Sequence, residues 1–270
     1  MSDPKRIIIV VLIAIVMLPL GYAIKGAIDS GGEANARLYN TAIQATEQDR
    51  FNYAVDSHQG RVITNGTFTA NEPVKFEEMN KKFAHVEKGR EEYTRHEREV
   101  CTEDSEGNES CHTEVYYTWD YAGGDDVTSP TLTLYGRKYP TSLFNIDGYE
   151  RSVDCSEFMP QVDNGWFGSK KGCNGHYNYI DGDTRYWYRI VDTSFAAGFI
   201  ADASDGNLKG MSGGQIGLHN KSVEQMIEDA NNYHLGGNIF IWFWWLLVLG
   251  IMGGAAYAWV MQDNEFSIYD

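Results

Sequence analysis

The stretch Asn238–Met261, NIFIWFWWLLVLGIMGGAAYAWVM, contains no Asp, Glu, Lys, Arg or His over 24 residues. At about 1.5 Å per residue, a single helix of this length crosses a hydrocarbon core of roughly 30 Å. In lipid every peptide group must be satisfied within the segment, which leaves a helix as the only economical structure for one uninterrupted run. Trp242, Trp244 and Trp245 near one end, and Tyr257 and Trp259 near the other, match the aromatic belts of a spanning helix. Inside the run, Gly250 and Gly254 form a G-x-x-x-G continued by Ala258 one turn on. Small residues four apart let another helix approach closely, so this face is expected to pack on the first apolar segment or on a copy of itself in a neighbour.

That first segment is Ile7–Ile24, IIIVVLIAIVMLPLGYAI, preceded by Lys5 and Arg6. It reads as a retained anchor. The competing reading is a secretory signal with Gly21 and Ala23 at the −3 and −1 positions of a cleavage site. In either case Lys5 and Arg6 hold residues 1–6 in the cytoplasm, residues 25–237 are exported, and the tail 262–270 returns to the cytoplasm if the first span is kept. The compartment is then extracytoplasmic: periplasmic, extracellular, lumenal or virion-associated.

The net charge is −16, and setting aside the charged residues at the two ends leaves 20 basic and 34 acidic side chains between Lys25 and Gly237, a balance of −14. A surface of that sign repels phosphate backbones, which argues against nucleic-acid binding.

Cys101, Cys111, Cys155 and Cys173 all fall in the exported part, as an oxidising compartment requires. Four cysteines allow three pairings. The segments EEYTRHEREVC and CHTEVYYTWDY flank a polar nine-residue tip, so Cys101 facing Cys111 across a hairpin is favoured, leaving Cys155 to Cys173. In that register facing residues sum to 212, and Tyr93, Val115, Tyr117, Trp119 and Tyr121 share the cystine's face as the expected buried side. A zinc site is the weaker reading, since no C-x-x-C pair exists.

Elsewhere KGAIDSGG reads as a flexible exit, followed by a short helix carrying Ala34, Leu38, Ala42 and Ala45. Strands are expected at FNYAV from Phe51, at RVIT and TFTA around an Asn65-Gly66 hairpin turn, at TLTLYGRKY and at YWYRIV. A helix is expected from Asn71-Glu-Pro73 through Phe76, Met79, Phe83 and Val86, and a turn at AGGDD. SVEQMIEDANNY opens with a Ser222/Gln225 capping box, and Gly236-Gly237 ends that helix or hinges it. The fold class that results is a mainly antiparallel β domain with a few short helices, flanked by N- and C-terminal transmembrane helices.

No H-x-x-x-H, H-E-x-x-H, G-x-S-x-G or Walker loop occurs, and no cofactor, metal or catalytic set is assigned. Asp125-Asp126, Asp181-Gly-Asp183 and Asp202–Asn207 read as turns ahead of calcium sites. Asn65, Asn108 and Asn220 begin N-x-S/T sequons. The expected role is a non-catalytic structural or interaction component of an envelope, viral membrane or surface complex, with membrane lipid and other membrane or surface proteins, itself included, as partners. The alternative is a membrane-tethered enzyme with a carboxylate-based site.

Overall fold

The computed structural model of the chain describes residues 4–103, 105, 107, 109–159 and 172–266, with side chains from 12 to 254 except 14, and at 257. Asn108 and the side chain of Ala258, both singled out above, lie outside this description. Four helices are described: α1 (Pro4–Thr41), α2 (Gln48–Asp56), α3 (Val223–Asn231) and α4 (His234–Phe266). The chain divides into two units, Met1–Ile43 with Ser222–Asp270, and Gln44–Lys221.

In the first unit, the stretch Val223–Gly254, which contains the apolar part of α4, is the one long and apolar enough to cross a membrane among the described residues. Its best window has mean hydropathy 1.8 and is only 11% buried, as expected for side chains that face lipid. The expected flexible exit after Ile24 is not found, because α1 runs unbroken over 38 residues to Thr41. Ion pairs one turn apart, Lys25 with Asp29 and Glu33 with Arg37, support the helix there. Asn40 also reaches Asn231 at 2.6 Å, tying α1 to the end of α3.

Contact between α1 and α4 is made through glycines other than the pair expected. A Cβ on Gly21 would lie 2.3 Å from Trp244 Nε1, and that indole donates to the Met17 carbonyl at 2.9 Å. Gly237 makes the same allowance for Asp29, and Gly32 for Tyr233. Gly236 and Gly237 sit in the first turn of α4 and form no hinge. Val248 is buried, whereas Gly250 and Gly254 are exposed, and an added Cβ at either meets no described atom within 4 Å. The α3 capping box is present, with Gln225 N–H donating to Ser222 Oγ at 3.3 Å and Ser222 N–H to Gln225 Oε1 at 3.0 Å.

The second unit is β-rich. Its main strands are β1 (Arg61–Ala70), β2 (His85–Glu103), β3 (Glu109–Thr128), β4 (Thr131–Leu134), β5 (Arg137–Pro140), β6 (Gly172–Asn174), β7 (Tyr177–Tyr179), β8 (Thr184–Val191) and β9 (Ser194–Asp202). In one antiparallel sheet β9 pairs with β1 along its length, and the β4–β5 hairpin joins β1 through Thr69 and Ala70. Phe51, Phe68, Phe144 and Phe199 pack there with ring centroids 5.0 to 6.4 Å apart.

Two expectations fail in this sheet for identifiable reasons. FNYAV is part of α2, because Phe51, Ala54 and Val55 are buried at helical spacing. Asn65-Gly66 is not a turn but lies mid-strand in β1, where a Cβ on Gly66 would come within 2.7 Å of Leu134 and 3.0 Å of Tyr135. The two-residue turn is Tyr135-Gly136, both at positive φ as a type I′ turn demands. Tyr135 holds this left-handed backbone with its ring 5.0 Å from Phe51 and its hydroxyl 2.7 Å from the Asn65 carbonyl.

The other sheet has the order β3-β2-β8-β7-β6, with the short strand Arg151–Ser152 also paired to β8. Its core holds Met79, Phe83, Val86, Phe158, Tyr188 and Ile190 around the buried Cys155–Cys173 disulfide. The expected helix over Pro73–Val86 is absent. Val74 pairs with Phe83 and Val86 belongs to β2, so the chain buries these residues by doubling back. AGGDD is a bulge inside β3, where the register with β2 shifts between Gly89 and Glu91, and Gly123 takes a φ of 109°.

Glu78 sits beside this core. Burial by itself would raise its carboxyl, but hydrogen bonds from Lys88 at 2.6 Å, from backbone and from Tyr188 at 3.0 Å outweigh that and hold it below the ordinary value. The folded state therefore favours the carboxylate, and this stability is present above pH 4.5 and lost as pH falls through the lower folded value. Glu78→Gln is expected to remove about 1 kcal/mol at pH 7, a figure discounted for partial exposure, and progressively less as pH falls below 4.5, as read from urea unfolding. In the helical unit, Gly21→Val displaces Trp244 and is expected to weaken the α1–α4 contact by about 1 kcal/mol, as measured by the SDS concentration that separates the helices.

Candidate interaction surface

The hairpin of β2 and β3 follows the sum-of-212 register from Glu91–Tyr121 out to Glu103–Glu109, with Cys101 opposite Cys111 and disulfide-bonded to it. Strand β8 covers β2 only from His85 to Glu92. Just beyond that point the Tyr93 N–H still donates to the Asp183 carbonyl at 2.8 Å, and the ten residue pairs from Thr94–Thr118 to Glu103–Glu109 then pair only with each other among the described residues. At about 3.3 Å per residue this is a free ribbon of roughly 33 Å.

Most of the face expected to be buried is open to solvent: Tyr93 is 42% exposed, Val115 43%, Tyr117 52% and Tyr121 67%, with Trp119 half-buried, because among the described residues no second layer packs on the ribbon. These side chains instead pack on one another. Tyr93 stacks on Tyr117 with centroids 5.4 Å apart and lies 5.1 Å from Trp119, and Trp119 meets Tyr179 of β7 edge-on at 5.9 Å. At the ribbon's base, the Arg185 guanidinium lies 4.2 Å from the Trp119 ring and 3.7 Å from Tyr177, and is paired to Glu91 at 2.6 Å. Tyr93, Trp119, Tyr179 and Gly182 enclose a cavity of about 280 Å³ there.

The opposite face is polar. His96 Nε2 lies 2.5 Å from Asp120 Oδ2, Thr118 donates to Asp120 Oδ1 at 2.8 Å, and Thr94 contacts both His96 and Asp120. Hydrogen bonds from Thr94 and Thr118, then His96, hold the Asp120 carboxyl below the usual range. Arg98 pairs with Glu114 at 2.6 Å and lies over Tyr116. Thr94 and Asp120 both approach the same ring nitrogen of His96, so the cluster lacks the two-sided histidine that a nucleophile relay needs.

Cys101, Cys111, Cys155 and Cys173 are all in disulfides, and the sulfur groupings with Glu99 and with Asp154 are therefore not thiolate metal sites. Two of the three acidic stretches behave as turns, with Asp181, Asp202 and Asp205 accepting the backbone N–H two residues on, whereas Asp125 and Asp126 are strand residues opposite Lys88 and Glu87. Asn65 donates its amide to the Lys221 carbonyl at 2.8 Å, and Asn220 is exposed.

One carboxyl among the described residues is pushed upward, that of Glu150, by burial first and then by Glu87 and Asp147 against the pull of His85 and Arg189. It lines neither this cavity nor the larger cleft of about 680 Å³ bounded by Val55, Arg137, Tyr139 and Leu208. In that cleft Arg137 is already held by Asn52 at 2.6 Å and by Asp56. Sequence reasoning found the hairpin and its register but not Tyr179, Gly182 and Arg185, which come from a strand pair 60 or more residues away. Their only local signal was the aromatic density of YNYIDGDTRYWY.

No known protein family matches this chain, and no curated protein or solved structure matches it.

The tip disulfide crosses two residues already facing one another, so its effect is local. Replacing Cys101 and Cys111 together with Ser is expected to raise amide hydrogen exchange at least tenfold over residues 97–103 and 109–115 and to shift the melting midpoint by less than about 3 °C, consistent with a ΔΔG below about 1 kcal/mol.

Proposed function

We infer that this chain is a membrane-anchored, non-catalytic interaction protein whose β-rich unit carries the long hairpin as its contact element. The observation that supports this most strongly is the free ribbon. Ten pairs, from Thr94–Thr118 outward, stand clear of the sheet among the described residues, locked at the tip by a disulfide, with an exposed aromatic face. Exposed aromatic surface of this kind is the composition of interface cores, and a soluble monomer gains nothing from it.

The topology in this reading has two spans. The first 18 or so apolar residues of α1 cross beside α4, both termini lie in the cytoplasm, and the disulfide-bonded unit lies outside it. The seat that Gly21 makes for Trp244 supports a retained first helix over cleavage at Ala23. The exposed face bearing Gly250 and Gly254 is left for lipid or for the helix of a partner, a second copy included. The sequon at Asn220, exposed on the same side, is open to glycosylation where the host has that machinery.

The test is site-specific photocrosslinking in native membranes, with the probe at Tyr117 on the ribbon and, as reference, at Tyr53, which is 64% exposed on α2. A discrete adduct of fixed mass from position 117 and none from position 53 is the expected result. Equal, diffuse labelling at both positions would remove the ribbon from consideration as a contact element.

A further inference from the structure

The cavity at the base of the hairpin has an unusual lining for a surface pocket: among the described residues, three aromatic rings and one glycine, with no aliphatic side chain. The rings are set at angles to one another. Tyr93 is inclined at 44° to Trp119 with centroids 5.1 Å apart, and Tyr179 stands at 77° to it at 5.9 Å. A volume of about 280 Å³ is just short of the roughly 300 Å³ at which pockets for drug-sized molecules begin. It suits a single compact group.

The electrostatics select the sign of that group. Aromatic faces carry the negative end of the ring quadrupole and attract cations within about 6 Å of the centroid, most strongly at Trp. Trp119 already does this for Arg185, whose guanidinium does not line the cavity and has its charge answered by Glu91. Beside the mouth, Gly182 is flanked by Asp181 and Asp183, both exposed. The surrounding Lys25–Gly237 segment has a balance of −14, which raises the local concentration of small cations. A neutral sugar would ask for several side-chain hydrogen-bonding groups, and among the described residues the lining side chains offer two tyrosine hydroxyls and one indole N–H. An anion would meet ring faces and carboxylates.

We propose that Tyr93, Trp119 and Tyr179 form an aromatic cage for a quaternary ammonium group of the trimethylammonium class. A desolvated cation over such faces gains more than an exposed one, and the group needs no hydrogen bonds, which matches a lining that supplies few. The proposal rests on the hairpin being a binding element, but it concerns a small ligand at the hairpin's base and is read by a separate measurement.

The experiment uses the full chain in maltoside micelles, free of choline headgroups, and isothermal titration with choline chloride. The comparison ligand is 3,3-dimethylbutan-1-ol, in which carbon replaces the charged nitrogen. Choline is expected to bind at least tenfold more tightly than this neutral isostere. Trp119→Ala is expected to weaken choline at least tenfold. Because that change also removes packing from the ribbon, Gly182→Leu serves as the second variant: a Cβ there meets nothing within 4 Å, so the fold tolerates it while the side chain fills the mouth. It is expected to lower choline affinity at least tenfold with an unchanged melting midpoint.

Phosphocholine binding as tightly as choline identifies a lipid headgroup as the source, and tenfold weaker binding identifies a free ammonium compound; both outcomes uphold the cage. Equal affinity for choline and the isostere, no binding of choline, or choline binding untouched by Gly182→Leu would overturn it. So would a trimethyl-lysine peptide binding tenfold more tightly than choline, since the ligand would then be a protein. Loss of choline binding with crosslinking at Tyr117 intact would leave the interaction reading standing.

Discussion

A two-stranded ribbon has no interior. From Thr94–Thr118 outward, among the described residues, the ribbon is held by groups facing each other across the ladder. This constraint accounts for what is found there. On one face are stacked tyrosines and Trp119, on the other Arg98 with Glu114 and His96 with Asp120, and a covalent bond closes the last turn. It also explains why the rest of the second sheet is built as it is. Strand β8 and the core around Cys155–Cys173 must fix His85–Glu92 firmly, since any slip at that end would be carried along the whole ribbon.

The helical unit meets a different constraint. In the two-span topology proposed above, lipid offers no hydrophobic gain from bringing the two apolar helices together, and association depends on close fit and on polar groups finding partners. Gly21, Gly32 and Gly237 supply the fit, each opposite a larger side chain, and the Trp244 indole satisfies its N–H on the Met17 carbonyl. Pro19, two residues before Gly21, is accommodated inside α1 without ending it.

What could be read from the sequence follows how local each determinant is. The apolar run, the capping box at Ser222, both disulfide pairings and the register around Cys101–Cys111 depend on neighbours a few residues apart, and all are present in the structure. Asn65-Gly66 misled because Gly66 serves a contact with Leu134 and Tyr135 some 70 positions later, which no local pattern records. The Met79–Phe83–Val86 spacing fits a helix and a doubled-back chain equally well, and the pairing of Val74 with Phe83 decided between them. For the candidate site, the hairpin's aromatic residues were visible but their exposure was not. Burial depends on whether a second layer exists, and that is a property of the whole fold.

Four basic side chains of this acidic unit are turned to aromatic rings. Lys88 lies over Tyr186 and Phe76, Arg189 over Trp187, Arg98 over Tyr116 and Arg185 between Trp119 and Tyr177, most of them also paired with a carboxylate. Positive charge is thereby drawn in against the protein's own surface, and the field reaching into solvent is dominated by carboxylates. Neighbouring copies in the plane of a membrane therefore repel at a distance set by ionic strength, about 8 Å in physiological salt.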